Sequence, residues 1–489
     1  MRDHSPITIE EFNGLWKRGD ADSCPPDHFP AANNLQFIQG GFRTRDGIDP
    51  YLPYANIVRT YTFTQESGQS ILSLDAAGNI FDSGSPTPFV PILSIPGMLD
   101  FDFVSIAGRA YLTPSDGEKG LENEFVYVYQ GDGSSARKAA GSGPSGSLSL
   151  ANSATAGNVE AGYHVFAAVY ETDTGFLTNI NTPIAILAPG GKKVDISSIP
   201  VSPDSFVTKV HIVATKAISA TFYDGNVNGY EFFFIPGAEV VNGVTTLAVS
   251  FFDSELLDSA DDLQDLFTEI PAGVGVNTYH GRLLVWATFT DISLVLVSNV
   301  GEPEAINQIS GLLIFPLDGK PITRAQEFRD ILYVFKQTRT NAWTDNGDDP
   351  SAWPMTVLDQ GIGSCQHGVA AVLDSGGVNV DYLVICDYAG VMLFNGSYVR
   401  PEFSFKIRDF WLALERDDFG RIQVLNDVIQ QFLYIVLPDG SILFADYSNG
   451  LDPEKVRWCP WTIDVEVTSV TLINTSTLVI GGRRALVTI

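Results

Sequence analysis

Short apolar runs separated by turn residues recur along the whole chain. In residues 431–446 (QFLYIVLPDGSILFAD), two apolar runs flank Pro438, Asp439 and Gly440, which is the pattern of a β-hairpin with a tight turn. Related patterns occupy residues 71–82, 109–131, 282–299, 330–347, 381–396 and 477–489. The chain is therefore predicted to be a series of antiparallel hairpins.

The spacing of these hairpins predicts the fold class. Equivalent positions are about 46 to 51 residues apart, which matches the roughly 40 to 50 residues of a four-stranded β-propeller blade. They are Leu283, Ile331, Tyr382, Phe432 and Leu478. The interval from Ala110 to Leu283 exceeds one blade by about 130 residues, which is enough for an inserted domain. We expect an all-β protein, a β-propeller of about seven blades that is interrupted after its second blade.

The interrupting segment has its own pattern. Residues 134–157 are rich in Ser, Gly and Ala, which predicts a flexible connector. Apolar strand patterns then follow about every 12 to 20 residues, which favours an inserted immunoglobulin-like or fibronectin III-like β-sandwich.

The predicted division of the chain has three parts. Residues 1–140 hold the N-terminal strand and the first blades, residues 141–270 the sandwich, and residues 271–489 the remaining blades. A strand from the region 34–47 is expected to pair with the last strand, because this pairing closes the ring and removes two sheet edges.

The end of the predicted sandwich is strongly acidic. Residues 254–269 (SELLDSADDLQDLFTE) contain six acids and no base, and the spacing of Leu256, Leu263 and Phe267 predicts one apolar face of an exit helix. Its acids are candidates for channel or interaction residues: Glu255, Asp258, Asp261, Asp262 and Asp265. The alternative is a solvated linker helix that returns the chain to the propeller.

Composition excludes several functions. The chain has 58 Asp and Glu against 29 Lys and Arg, a net charge of −29, so an interface that binds nucleic acid by neutralising phosphates is not expected. The four cysteines show no CxxC spacing, and the six histidines form no i, i+4 pair. No apolar run approaches the roughly 18 to 20 residues of a membrane span, and the N-terminus lacks a secretory signal pattern. We expect no metal, cofactor, catalytic residue or membrane insertion, and synthesis in a cytosol.

Several short motifs resemble sites that carry chemistry. Asp345, Asp348 and Asp349 are further channel or interaction candidates; their spacing does not match a calcium loop, and a turn before Pro350 is the alternative. Residues 73–81 approximate the Asp-box of sialidase-type propellers, but a glycosidase needs two convergent carboxylates. Residues 361–365 lack the Lys of a phosphate loop. Five tryptophans are expected to pack between blades: Trp343, Trp353, Trp411, Trp458 and Trp461.

Motifs spread over most of the chain point to a family. Near the N-terminus they are Phe12-Asn13-Gly14-Leu15, Pro25-Pro26, Asn33-Asn34 and Arg45-Asp46-Gly47; later they are His280-Gly281-Arg282-Leu283, Gly361-Ile362-Gly363-Ser364 and the run from Ala389 to Gly396. On these residues the chain resembles the tail nozzle, or head-to-tail hub, proteins of short-tailed (podovirus-like) bacteriophages. It departs from them at Val210-His211-Ile212-Val213, where the family often has a basic strand, so no basic role is carried over there.

The resemblance implies a non-enzymatic structural protein of the virion tail that assembles in the host cytoplasm. It implies a homohexameric ring below portal and adaptor proteins, which extends the DNA ejection channel and carries tail fibre or tail tip proteins. Genomic DNA would pass without specific binding, and an acidic wall suits this because it repels phosphates. Two alternatives stay open: a β-propeller module that binds a glycan or a protein, and a propeller hydrolase.

Overall fold

The computed structural model describes residues 14–18, 24–25, 28–29, 31–38, 41–45, 49–260, 263, 267–374, 380–396, 399–474, 477–482 and 486–488. Strands hold 50% of the residues and helices 6%, which confirms the all-β prediction. The helical segments are short: an α-helix, α1 (Arg408–Leu412), and 3₁₀ turns at Asp253–Glu255, Pro316–Asp318, Pro350–Ala352, Pro401–Ile407 and Arg416–Arg421.

Seven four-stranded antiparallel sheets form most of the described chain, and in six of them the four strands are hydrogen-bonded in sequence order. The N-terminal strands are β1 (Leu35–Ile38), β2 (Gly41–Thr44) and β3 (Asp49–Leu52). The first sheet has β4 (Ile57–Gln65), β5 (Gly68–Asp75), β6 (Asn79–Asp82) and β7 (Leu93–Ser94), and the second has β8 (Asp100–Ile106), β9 (Arg109–Ser115), β10 (Tyr127–Tyr129) and β11 (Arg137–Lys138).

An insert of two further sheets follows the second sheet. Its strands are β12 (Ser149–Val159), β13 (Gly162–Thr172), β14 (Ile184–Ala188), β15 (Lys192–Ser197), β16 (Val207–Ala214), β17 (Phe233–Val241) and β18 (Thr246–Val249). One sheet has the order β12-β15-β18 and the other β14-β13-β16-β17. Side chains from both sheets share one hydrophobic core, which includes Val194 and Val249 from the first and Phe166 and Ile212 from the second.

The remaining five sheets follow the insert. The third has β19 (Gly275–Tyr279), β20 (Arg282–Trp286), β21 (Leu294–Asn299) and β22 (Glu302–Leu313); the fourth has β23 (Ile322–Phe328), β24 (Ile331–Lys336), β25 (Arg339–Trp343) and β26 (Met355–Asp359). The fifth has β27 (Val369–Asp374), β28 (Val380–Asp387), β29 (Gly390–Phe394) and β30 (Val399–Arg400); the sixth has β31 (Gln423–Asp427), β32 (Phe432–Val436), β33 (Ile442–Asp446) and β34 (Arg457–Trp461). The seventh has β35 (Val467–Ile473), β36 (Thr477–Gly482), β37 (Leu486–Thr488) and the N-terminal β3.

The seventh sheet joins the two ends of the described chain. Asp49 and Pro50 of β3 pair with Thr488 and Val487 of β37, so an N-terminal strand does complete the last sheet. The region in which we expected this strand, residues 34–47, does not supply it. Instead, β1 and β2 pair with each other in a separate two-stranded sheet.

Each pair of neighbouring sheets shares a hydrophobic core. Seven buried clusters fill the seven seams between successive sheets, and one of them, with Ile57, Ile71 and Val479, lies between the seventh sheet and the first. The five tryptophans predicted to pack between sheets all lie in such clusters, which confirms that prediction. First strands also contact one another in six of the neighbouring pairs, including β35 with β4.

The predicted flexible connector at the start of the insert is wrong. Residues 149–157 do not form a flexible connector but part of β12, which pairs with β15. The small side chains allow this close approach, since a Cβ at Gly157 would lie 2.6 Å from the Lys193 nitrogen.

The described residues of the segment 254–269 form no α-helix. Ser259 bridges to Phe233 and Phe267 to Asn307, so their backbone joins β-structure instead. Leu256, Leu263 and Phe267 are buried in three different clusters rather than on one face. The predicted helix face shared by these three side chains is therefore wrong.

Candidate functional site

Charged side chains lie where the first strands of the sheets meet. Arg59 of β4 and Asp100 of β8 form a two-bond ion pair, in which Arg59 Nε donates to Oδ1 at 2.8 Å and Nη2 to Oδ2 at 3.1 Å. His367, just before β27, places Nε2 2.7 Å from Asp100 Oδ2. None of these three side chains is more than 7% exposed. One carboxylate therefore links the first, second and fifth sheets.

These contacts set the protonation states of Asp100 and His367. Burial and Arg59 lower the pKa of His367, although Asp100 opposes them. Burial by itself raises the pKa of Asp100, but Arg59 and His367 hold that pKa well below its ordinary value of 3.8. Asp100 is therefore an acceptor, and the neutral imidazole donates to it through Nε2. The Nδ1 atom is then an acceptor 3.1 Å from the hydroxyl of Tyr61, whose single proton is also within reach of the Phe101 carbonyl at 3.2 Å.

A second carboxylate extends the network. Asp102, two residues further along β8, accepts Arg324 Nη1 of β23 at 2.9 Å and the backbone nitrogen of Val276 in β19 at 3.3 Å. The Asp102 side chain is 4% exposed. Because alternate residues of a strand point to the same face, Asp100 and Asp102 project together from β8. The third and fourth sheets are thus tied to the second.

Gln423 of β31 completes the connections. Its Oε1 accepts Arg59 Nη1 at 3.4 Å and the backbone nitrogen of Val470 in β35 at 3.0 Å, and its Nε2 donates to the Val470 carbonyl at 3.0 Å. We call Arg59, Tyr61, Asp100, Asp102, Arg324, His367 and Gln423 the central network. Its hydrogen bonds reach all seven sheets, so it holds their inner strands in one arrangement.

Nucleophilic groups next to the central network are not activated. Cys365 lies two residues before His367, and burial raises the pKa of its thiol to about 12. Burial also raises the pKa of Cys386 well above its ordinary value of 9.0. Both thiols are therefore protonated at neutral pH and behave as small apolar side chains. The arrangement is suited to fixing the sheets rather than to nucleophilic chemistry.

A depression lies beside the central network, where the chain enters the first strands. Its wall includes Asn56, Leu99, Gly117, Gly420 and Glu466, and Arg59, Asp100 and Gln366 lie at its inner end. Gln366 is 5% exposed and donates through Nε2 to the Val274 carbonyl at 3.0 Å. The depression is thus lined by loops from several sheets and ends on buried polar groups.

A second buried network attaches the insert. Arg137 of β11 donates to Asp173 of the insert at 2.6 Å and to Glu304 of β22 at 3.1 Å. Glu304, whose side chain is 1% exposed, also accepts the hydroxyl of Thr174 and the backbone nitrogen of Ala140, both at 2.6 Å. The insert is therefore fastened to the second and third sheets by a buried carboxylate, in addition to its two chain connections.

Of the acidic candidates in the segment 254–269, the structure describes Glu255 and Asp258, and these two do not share a site. Glu255 accepts the backbone nitrogen of Phe252 at 2.8 Å and so closes a turn. Asp258 is exposed, and its carbonyl accepts the backbone nitrogen of Phe234 at 3.0 Å. Asp261, Asp262 and Asp265 lie outside the described residues.

The candidates around residue 345 stabilise a turn. Asp345 pairs with Arg282 at 3.2 Å and accepts the Gly347 nitrogen at 2.8 Å, and Asp348 accepts the Asn346 amide at 2.7 Å. Asp349 accepts from Ser351 and from the Ser310 hydroxyl, contacts that lower its pKa. These carboxylates already have protein donors, as the turn interpretation predicts.

Sequence reasoning missed the central network. Its signal is charge within apolar strand patterns, namely Arg59 in IVRTYTF and the pair Asp100 and Asp102 in DFDFVS. A charged residue at an inward position of such a strand indicates a buried partner, because an isolated buried charge is very costly. The partners His367 and Gln423 carry no such signal.

Comparisons with known proteins leave the chain without a family. No known family profile and no curated protein matches it. Among solved structures, the surface component PorZ of the type IX secretion system of Porphyromonas gingivalis is 13% identical with a TM-score of 0.31, over 90% of this chain and 37% of PorZ. A putative 6-phosphogluconolactonase from Bacteroides uniformis is 12% identical with a TM-score of 0.29, over 65% and 89%. Similarity at this level supports no argument about function.

Within the described part of the chain, no helix has the length and apolar character needed to cross a membrane.

Proposed function

We propose that the seven sheets form a closed seven-bladed β-propeller and that the insert is an immunoglobulin-like or fibronectin III-like β-sandwich. Seven apolar seams, the contact of β35 with β4 and the pairing of β3 with β37 support the ring. The shared core of the two insert sheets supports the sandwich. The proposed domains keep the boundaries 1–140, 141–270 and 271–489.

We further propose that the protein is a tail nozzle or hub of a short-tailed phage particle. The observation that carries this proposal is the pair of buried ion-pair networks. One network joins all seven sheets, and the other fastens the insert to them, so that both units are held as one stiff part. A fixed joint between two units suits a ring that transmits force between a capsid and tail fibres, and the sequence motifs given above support the same function.

The charge of the chain supports a conduit for DNA. With 58 acids against 29 bases, copies arranged in a ring would present a surface that repels phosphates at short range. Several of the bases are already neutralised: Arg59, Arg137 and Arg324 each form an ion pair with a buried carboxylate. The proposed ring would thus guide DNA without retaining it.

A binding module for a glycan or a protein is the second candidate. Large apolar side chains are exposed on the insert, including Phe222 at 81% and Val241 at 68%. Exposed apolar groups of this size are common at interaction surfaces. The same surface would serve contacts with fibre or tip proteins under the nozzle proposal, so ring formation separates the two functions.

Native mass spectrometry tests the nozzle proposal. The purified protein is measured alone and after mixing with portal and adaptor components of the same particle. We expect about six copies per complex, either alone or on the adaptor. A chain that stays monomeric in both samples would refute the proposal, and binding to a glycan array by that monomer would support the second candidate.

A further inference from the structure

Three metal-ligating side chains lie together at the ends of two neighbouring sheets. His280 is in the turn between β19 and β20, while Glu327 and Asp330 lie at the turn between β23 and β24. One imidazole nitrogen and one oxygen from each carboxylate lie within 4.8 Å of one another. Ligands on a tetrahedral metal centre at about 2.1 Å are roughly 3.4 Å apart, so small side-chain rotations would bring these three atoms onto one ion.

The ligand atoms of these three groups are not engaged by hydrogen bonds or ion pairs within the described chain. No hydrogen bond or ion pair engages the imidazole of His280 or the carboxylates of Glu327 and Asp330. The basic side chain next to them, Arg329, donates instead to the carbonyls of Asn395 and Asp381, both at 2.8 Å. Among the described residues, no Lys or Arg nitrogen therefore lies within ion-pair distance of these two carboxylates.

A second triad in the chain provides the contrast. In the insert, His211 Nε2 lies 2.5 Å from Glu171 Oε2, and Lys209 lies 3.6 Å from the same atom and 3.4 Å from Glu239. Lys209 supplies the positive charge there, and the imidazole is already bonded. A metal ion would have to displace these contacts. The two triads have similar residues but differ in whether their ligand atoms are available.

The surroundings hold the first triad in place. The His280 ring stacks on Tyr279 with 4.1 Å between centroids, and the Tyr279 hydroxyl donates to the Asp330 carbonyl at 3.1 Å. Glu327 is half-buried, while His280 and Asp330 are exposed and can turn toward an ion. The triad also lies beside an open depression, whose wall includes Glu327 and Asp330. An ion could therefore enter from solvent.

We propose that His280, Glu327 and Asp330 bind a divalent transition-metal ion that bridges the third and fourth sheets. One imidazole with two carboxylates suits Zn²⁺ or a similar borderline ion better than Ca²⁺ or Mg²⁺, which prefer oxygen ligands alone. Three protein ligands leave a position open for water or for a donor from another molecule. This inference does not depend on the proposed function.

Isothermal titration with ZnCl₂ tests the site on the full chain. The test variants are His280→Asn and Asp330→Asn. Both residues have positive φ, 47° and 61°, which Asn tolerates well, so these changes preserve the turns. The matched control is His211→Asn. We expect Zn²⁺ affinity to fall at least about tenfold in each test variant and to stay within about twofold of wild type in the control.

Thermal unfolding provides the second measurement. Zn²⁺ should raise the Tm of the wild-type protein and of the control, because the ion joins two sheets in the folded state only. It should not raise the Tm of either test variant. The proposal is overturned if His280→Asn and wild type bind Zn²⁺ with the same affinity and stoichiometry, or if the control loses binding as well.

Discussion

The central network makes a sharp prediction for Asp100→Asn. The substitution keeps the shape of the side chain but removes the charge that faces Arg59 and His367. One end of the new amide can only donate, and it would face donors of Arg59 or His367 at distances of 2.7 to 3.1 Å. The guanidinium of Arg59, which is 4% exposed, would remain buried without its counter-ion.

The expected magnitude follows from these contacts. Asp100 accepts two hydrogen bonds from a charged guanidinium and one from a neutral imidazole. Removing one partner of a buried ion pair destabilises a protein by about 3 to 5 kcal/mol, because the other charge stays buried and unpaired. We expect Asp100→Asn to fall in this range. The double variant Arg59→Gln, Asp100→Asn should cost less than the sum of the single variants by about 1 to 3 kcal/mol.

Urea unfolding followed by tryptophan fluorescence measures these changes. Trp286, Trp411 and Trp458 are fully buried in the seams between sheets and report on separation of the sheets. An exposed pair provides the control: Lys209→Gln, at a side chain 42% exposed, should change stability far less than Asp100→Asn, because solvent screens its ion pairs. A cost below about 1 kcal/mol for Asp100→Asn, or strict additivity in the double variant, would refute the role given to the network.

Two further predictions concern pH and the insert. The pKa of His367 is lowered in the folded state from 6.5, so the unfolded chain takes up this proton first and stability falls as pH drops below about 6.5. Tm should therefore fall less between pH 7.5 and 5.5 in His367→Gln than in wild type; equal slopes would contradict this. Glu304→Gln weakens the ion pair with Arg137, so limited proteolysis should cut residues 139–148 at least several-fold faster. The stability of the seven sheets, measured by tryptophan fluorescence, should change less than for Asp100→Asn. An unchanged cleavage rate would contradict this prediction.

Much of the fold follows from local patterns in the sequence. The hairpin at residues 431–446 forms as predicted, with β32 and β33 paired from Phe432–Asp446 to Val436–Ile442 around the Pro438-Asp439-Gly440 turn. The apolar runs and the turn residues of a hairpin are close in sequence. A single sequence is therefore enough to predict the hairpin. The excess interval before Leu283 likewise predicted an insertion, and two additional sheets lie within it.

The central network could not be predicted in the same way. His367 is 267 positions from Asp100, and Gln423 is 364 positions from Arg59. Such partners are defined only once the sheets pack around a common centre, so no local pattern records them. The prediction of an exit helix was wrong for a related reason. Intervals of seven and four residues between apolar positions fit one face of a helix, but tertiary packing places Leu256, Leu263 and Phe267 in separate hydrophobic clusters.

The central network also constrains how the proposed conduit could be built. Arg59, Asp100, Asp102, Arg324 and His367 join the first, second, fourth and fifth sheets, and all of these side chains except the half-buried Arg324 are buried. If the sheets close into the proposed propeller, a DNA duplex could pass through its centre only by breaking these ion pairs. If copies of the chain form a channel, its wall must therefore be made by outer surfaces of several copies around a common axis. Under the nozzle proposal, the acids that matter for DNA passage lie on those outer surfaces, and neutralising acids of the central network should alter stability rather than DNA release.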